Sequence, residues 1–418
     1  MRLDLIAGLV AAGLLAAGLT PAGAFAAGAS ARFELDLVAG AARSPARIVV
    51  TQGDGALREL VLDGTRLTRV SGDGEVMVDA GKVRWRPPPD GGTLRYQVPL
   101  THRRQGRNSA GNDAYVGDRF ALFRGDDAFP VQASRRAARS AFAGELAIGL
   151  PKGWSLVTPY LPDARGRLVV RNPGGRLARP IGWVIAGDIG TRREVIAGLE
   201  VTVSAPRGLR MERLAMLGLL RWTLPELLPA LGADGPGNLR YVNIVAAAEP
   251  MWLGALSAPN SIYVHAARPL ISENGTSTIV HEMVHVLLAD LTTPADQDWI
   301  DEGLAEYLSL RALKDSGTIS PDRFAGTIAD LRRWGKPVRS LRTRSSTGPV
   351  TARAVVVCHD LDGELRQASA GRETLLKLVA RLLQGDETAS LASLRAASAR
   401  VLGRPARALS ASAVPGFD

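Results

Sequence analysis

The chain has 418 residues, room for two or three domains with substantial cores. Its single cysteine, Cys358, excludes an intramolecular disulfide and any thiolate metal site, so stability must come from packing and from other donors. Lysine and arginine outnumber aspartate and glutamate by 51 to 41, a net charge of +10, but the excess is arginine scattered through every segment with no interleaved aromatics, and no nucleic-acid partner is expected.

At the amino end Arg2 precedes an apolar run, 5–19, that gives way to Pro21 and small residues. The run is short for a bilayer span and ends in cleavage-like Ala22-Gly23-Ala24 or Ala24-Phe25-Ala26, so residues 1–26 read as a secretory signal peptide. A periplasmic or secreted protein is expected, with no stable membrane insertion after signal cleavage. Residues 27–206 read as short strands near 47–51, 57–62, 82–86, 94–100, 145–150, 168–171, 182–186 and 200–204. Val83-Arg84-Trp85-Arg86 alternates apolar and polar side chains, as half-buried strands do. Asp63-Gly64, Asp73-Gly74, Asp90-Gly91 and Asn172-Pro173-Gly174-Gly175 supply the turns, and an antiparallel sandwich follows.

Past Pro206 the period changes. Leu209, Leu214, Leu217, Leu220, Leu224 and Leu227 recur at helical spacing despite Pro225, opening an α-rich domain over 207–405. A strand at 240–246 and an edge strand at 260–265, ending in His265, come next. Asn274-Gly275-Thr276 offers capping side chains for a helix running to about Asp290, which carries His281-Glu282-Met283-Val284-His285. Helical residues four apart share a face, so the two imidazoles stand side by side at a separation that one tetrahedral zinc accepts. Glu282, beside them, is placed to take a proton from water. Ile279, Met283, Leu287 and Val280, Val284, Leu288 already supply apolar rows, so the core does not need the histidines.

A turn over 292–298, rich in Thr, Pro and Asp, folds a second helix back beside the first, and its phrase Trp299-Ile300-Asp301-Glu302-Gly303-Leu304-Ala305-Glu306-Tyr307 offers a third ligand. Glu302 and Glu306 are one turn apart on one face; one ligates and the other holds a ligand imidazole. Helices over 321–333, 352–366, 372–383 and 390–402 complete the domain, and 406–418 reads as a flexible tail.

The phrases at 281–285 and 301–307 resemble those of the gluzincin zinc metallopeptidases, within them the peptidase-MA-like and glycyl-aminopeptidase-like families. Asp301-Glu302-Gly303-Leu304-Ala305 is similar to their Asn-Glu-Gly-x-Ala signature, and 253–261 looks like their substrate-edge strand. The resemblance implies an α+β multidomain protein, an N-terminal antiparallel β-sandwich followed by an α-rich thermolysin-like gluzincin catalytic domain. It implies zinc on His281, His285 and Glu302, Glu282 as general base, Glu306 behind a ligand, and a peptide or protein substrate along Leu256, Ser257, Asn260 and Ser261. Two positions depart from the family pattern. Ser257 stands where the aminopeptidase branches carry a glutamate for the substrate α-amine, so exo- and endopeptidase action both stay open. No tyrosine follows Tyr307, where these families place an oxyanion-stabilising one, which leaves Arg353, His359 and Tyr307 as candidate donors, although Tyr307 follows an apolar helical row that favours packing and His359 also reads as a structural histidine beside Cys358. A zinc-binding scaffold or assembly factor of the cell envelope, weak or inactive in catalysis, is the alternative.

Overall fold

Phe33, Leu35, Ile48 and Val50 turn inward while Arg32, Asp36 and Arg47 turn to water, the two-residue period that makes a half-buried strand. In the computed structural model residues 29–417 are described, apart from 54, 106–109, 137–141, 171–178, 233–238 and 386; the expected signal peptide and the 172–175 turn lie outside the described residues. A six-stranded sheet runs in the order Leu168–Val170, Phe142–Gly149, Ala29–Asp36, Ser44–Thr51, Gly91–Val98, Thr68–Gly72. A four-stranded sheet runs Val131–Arg136, Leu57–Asp63, Lys82–Arg86, Glu75–Asp79. Phe33, Ile48, Leu62, Trp85, Leu94 and Phe129 join the two sheets in one core. One pairing departs from the antiparallel expectation: Ala29–Asp36 runs parallel to Phe142–Gly149, with Phe33 opposite Leu146. Parallel neighbours need a long crossover, and here most of the module lies between them.

A third sheet, Ser155–Val157, Trp183–Gly187, Phe120–Arg124, Asn112–Val116, His102–Arg103, faces the second module. Its Leu122, Trp183 and Ile185 pack with Ile189, Val245, Met251 and Tyr263 of that module in a separate cluster. The expected boundary at 206 moves upstream. Strands Ile189–Ile196 and Leu199–Pro206 form a hairpin that opens the second module's sheet, ordered Ile189–Ile196, Leu199–Pro206, Tyr241–Ala247, Ser261–His265, Ala255–Ala258. Local periodicity marks 189–206 as strand but says nothing about which sheet recruits it. Leu199–Pro206 and Tyr241–Ala247 are parallel, with helix Arg213–Leu231 as their crossover.

The strand expected at the edge is interior: Ser261–His265 is buried throughout and pairs on both sides. The edge is Ala255–Ala258, called the rim strand below. The histidine helix, Thr278–Leu287, is capped by Ser277, whose hydroxyl accepts from Val280 N, rather than by 274–276, and it stops short of Asp290. The carboxylate helix, Asp298–Asp315, follows, then Pro321–Gly335, Pro349–Ser369, Leu375–Gln384 and Leu391–Leu402. The flexible tail expected from 406 is packed instead. Leu409, Val414 and Phe417 are buried, Leu341 N donates to Pro415 O at 2.8 Å, and the Arg353 guanidinium donates to Ala413 O at 2.8 Å. Its Ala, Ser and Pro content resembles a linker, yet its few large apolar side chains have a groove to fill.

Candidate metal and catalytic site

Trp299, Ile300, Leu304 and Leu308 anchor one side of the carboxylate helix in the core, leaving Asp301, Glu302 and Glu306 half-buried towards the histidine helix. Gly303 lets this helix press against Pro349–Ser369: a Cβ built there would meet Ala354 Cβ at 2.8 Å. On the next face of the same helix Glu302 reaches both histidines. His281 Nε2 and His285 Nε2 are 3.1 Å apart, with Glu302 oxygens 3.7 Å from the first and 3.6 Å from the second. Ligands about 2.0 Å from one tetrahedral ion sit about 3.3 Å from each other, so this donor set fits a single small divalent cation. Among the described residues, these three form a group of potential ligands whose donor atoms lie within 4.8 Å of one another.

The outward nitrogens are held as well. His281 Nδ1 donates to Glu306 Oε2 at 2.8 Å, and His285 Nδ1 lies 3.4 Å from Asp301 Oδ1. A carboxylate on Nδ1 leaves the Nε2 lone pair facing the cluster, the usual device behind a metal-bound imidazole. Glu306 therefore stands behind the His281 ring, while Glu302 faces both Nε2 atoms. Sequence reasoning missed Asp301, whose signal was its place just before the ligand in the same helical turn. Burial pulls the His281 imidazole towards neutrality, but the Glu306 hydrogen bond and the charges of Glu306, Glu282 and Glu302 outweigh it and push its pKa up to about 9. His285 is likewise raised, burial being overcome by Asp301. Burial raises Glu302 against the pull of His285 and His281. A cation bound here would displace imidazole protons, since metal and proton compete for the same lone pairs.

Glu282 is buried, and its Oε2 accepts the Ser257 backbone N–H at 2.7 Å. The rim strand is thus tied to the histidine helix through the carboxylate expected to act as base. His265 N donates to Gly254 O at 2.8 Å, and the register sets Leu256 opposite Tyr263. Antiparallel alternation then turns the backbone groups of Leu256 inward and those of Ala255 and Ser257 to the open edge. Trp183 Nε1, from the first module, donates to Leu256 O at 2.8 Å and fixes the rim from behind. No local signal linked Trp183 to this strand. Asn260 and Ser261 do not belong to the open edge as expected. Asn260 occupies the turn at φ 54°, and the buried Ser261 hydroxyl accepts from Trp183 N at 2.8 Å and donates to Pro259 O.

The three oxyanion candidates are engaged elsewhere. Tyr307 is buried, its hydroxyl donating to Asp362 Oδ2 at 2.7 Å, while Asp362 also takes Arg366 Nε and Leu375 N. Burial and Asp362 drive the Tyr307 phenol well above its ordinary range. His359 Nδ1 pairs with Asp360 at 2.9 Å, and its ring packs on Tyr307 and Phe324. Arg353 grips the tail at Ser412 and Ala413. His265 is buried and accepts from Ala267 N through Nδ1, a structural role.

No family model matches the sequence, and no match was found among curated proteins. Solved structures are similar in fold. An aminopeptidase N family protein from Idiomarina loihiensis superimposes with a TM-score of 0.63 at 13% identity, over 85% of this chain and 70% of that one. An M1 zinc metallopeptidase from Deinococcus radiodurans gives 0.62 at 16% identity over 94% of each chain. A variant of that enzyme bound to a Tyr-Ser-Ala substrate gives 0.61 at 16% identity, over 94% and 95%. The chain therefore has the α+β fold of M1-type zinc metallopeptidases, the architecture that the gluzincin resemblance implied.

Proposed function

We propose that the protein is an exported zinc metallopeptidase that hydrolyses peptide bonds. The observation that carries the reading is the convergence of two Nε2 atoms and the Glu302 carboxylate, each imidazole backed by its own carboxylate, beside a buried Glu282 and an open strand edge. His281, His285 and Glu302 would hold the metal. Zinc, when bound, supplies Lewis acidity that makes water more acidic and polarises a peptide carbonyl. Glu282 takes the proton from the attacking water and delivers it to the departing amine, so the carboxylate ends as it began. Its Oε2 is held by Ser257 N–H, which orients the carboxylate without supplying a second charge. Ala255, through its N–H and carbonyl, and Ser257, through its carbonyl, offer outward backbone groups to an extended peptide, which docks as an added strand. The likeness to peptidase folds, one with a tripeptide substrate, supports this substrate class.

Glu282→Gln tests the mechanism. The variant should bind zinc as the wild type does and lose cleavage by at least ~100-fold, the scale of general-base catalysis; undiminished cleavage would sink the assignment. The engagement of Arg353, His359 and Tyr307 in other contacts supports a second reading, a zinc-binding envelope scaffold with little turnover. A peptide-library digest by the metal-loaded protein, wild type beside Glu282→Gln, separates the two, because the scaffold cuts no more than the variant does.

A further inference from the structure

Helix Arg213–Leu231 has the length and apolar content of a membrane span, but its inner face, including Met216, Leu217, Leu220, Leu224 and Leu227, is buried in the second module. Its outer face is the unusual part. Leu214, Gly218 and Trp222 follow at four-residue spacing, with Leu214 and Trp222 each 65% exposed, and only the next position of the stripe, the exposed Glu226 towards the helix's carboxyl end, carries the charge that a water-facing stripe normally has. Arg221, the cation on this face, is neutralised by both oxygens of Glu194, at 2.7 and 2.8 Å. Unbalanced charge collects at the helix's amino end. Arg192, Arg207 and Arg213 line one open depression with Leu214, and Glu212 is the acid among the lining residues. Arg207 shares Asp188 with Arg119, while Arg213 donates only to the carbonyls of Ala205 and Pro206 and keeps a buried Nε without a partner.

We propose that this face is a peripheral docking surface for an anionic phospholipid bilayer. Trp222 and Leu214 enter the headgroup region, and Arg192, Arg207 and Arg213 bind lipid phosphates. Tryptophan is at home where one end of the ring is apolar and the other wet, and guanidinium pairs with phosphate through two parallel hydrogen bonds. One apolar contact or one basic patch binds a membrane only marginally, whereas the two together hold. A soluble anion would use the arginines and leave the exposed stripe without a role. Contact with the surface is peripheral, because the helix's inner half stays in the protein core. The proposal is independent of the metal site.

Flotation of the exported chain with vesicles tests it. Partitioning should be ~10-fold or more stronger into phosphatidylcholine vesicles containing phosphatidylglycerol than into phosphatidylcholine alone, and salt should weaken it. Trp222→Ala with Leu214→Ala should lower binding about tenfold, and Arg192→Gln with Arg207→Gln should abolish the preference for anionic lipid. Equal partitioning into both vesicle types overturns the proposal, since a residual apolar amino-terminal run would behave that way. Wild-type binding in both double variants overturns it too. A fall in sedimenting mass on Trp222→Ala, without loss of vesicle binding, would assign the stripe to a second copy instead. Brominated acyl chains give a readout that does not depend on destabilising changes. Fluorescence quenching that is present in the wild type and reduced in Trp222→Phe supports docking, and no quenching in the wild type defeats it.

Discussion

Two carboxylates behind two imidazoles decide how the site performs. Asp301 and Glu306 lie against the outward nitrogens of His285 and His281 and favour the proton on Nδ1, which leaves each Nε2 lone pair facing the cluster. Asp301→Ala and Glu306→Ala should each weaken zinc about 10- to 100-fold, measured by competition with a chromophoric chelator, while the fold stays intact. The His-Glu-x-x-His spacing was legible because four residues on a helix fix a geometry locally. Asp301 was not singled out, because a half-buried acid on a helix surface looks like any solvated acid until the opposite helix is in place. Arg353 was misplaced for the same reason, its partner Ala413 being far away in sequence, whereas Tyr307 packs as its apolar helical row suggests and finds its partner in the distant Asp362.

Helix approach is the next level. Gly303 sits against Ala354, so Gly303→Ala forces a Cβ into a contact of 2.8 Å that real structures avoid. The variant should lose about 1–3 kcal/mol in urea denaturation from overpacking, and its zinc affinity should fall because Glu302 rides on the displaced turn. Asp360 joins Pro349–Ser369 to Pro321–Gly335 through Arg332 at 2.7 Å. Burial alone would raise its carboxyl, but hydrogen bonds from His359 and Arg332 hold it down to about 2, below the ordinary 3.8. A depressed folded-state pKa contributes stability that is full above 3.8 and is lost as pH falls towards 2. The stability difference between wild type and Asp360→Asn, followed by urea melts, should therefore shrink across that window and stay constant above it.

At the scale of the molecule, the two modules are joined through Trp183, which packs on Tyr263 and holds both Ser261 and Leu256. The first module thus helps to position the strand that would carry substrate. The tail packs on the second module against Leu341 and Arg353. Truncation after 405 removes buried Leu409, Val414 and Phe417 and the partners of Leu341 and Arg353, at about 1.5–3 kcal/mol for each apolar side chain. Thermal melting of the truncated chain should show that loss as a lower midpoint, whereas a free tail would leave the midpoint unchanged.

The sequence by itself determined what depends on neighbours a few residues apart: strand alternation in the first module, helical periodicity in the second, and the histidine pair with its adjacent glutamate. Those features repeat with the chain's own two-residue and 3.6-residue periods, so no knowledge of the fold is needed to read them. The tertiary structure alone decided that 189–206 joins the second module's sheet, that 260–265 is an interior strand, that Asp301 stands behind His285, and that the tail packs. Each of those outcomes is a contact between segments distant in sequence, and the local pattern is the same whichever partner the segment meets.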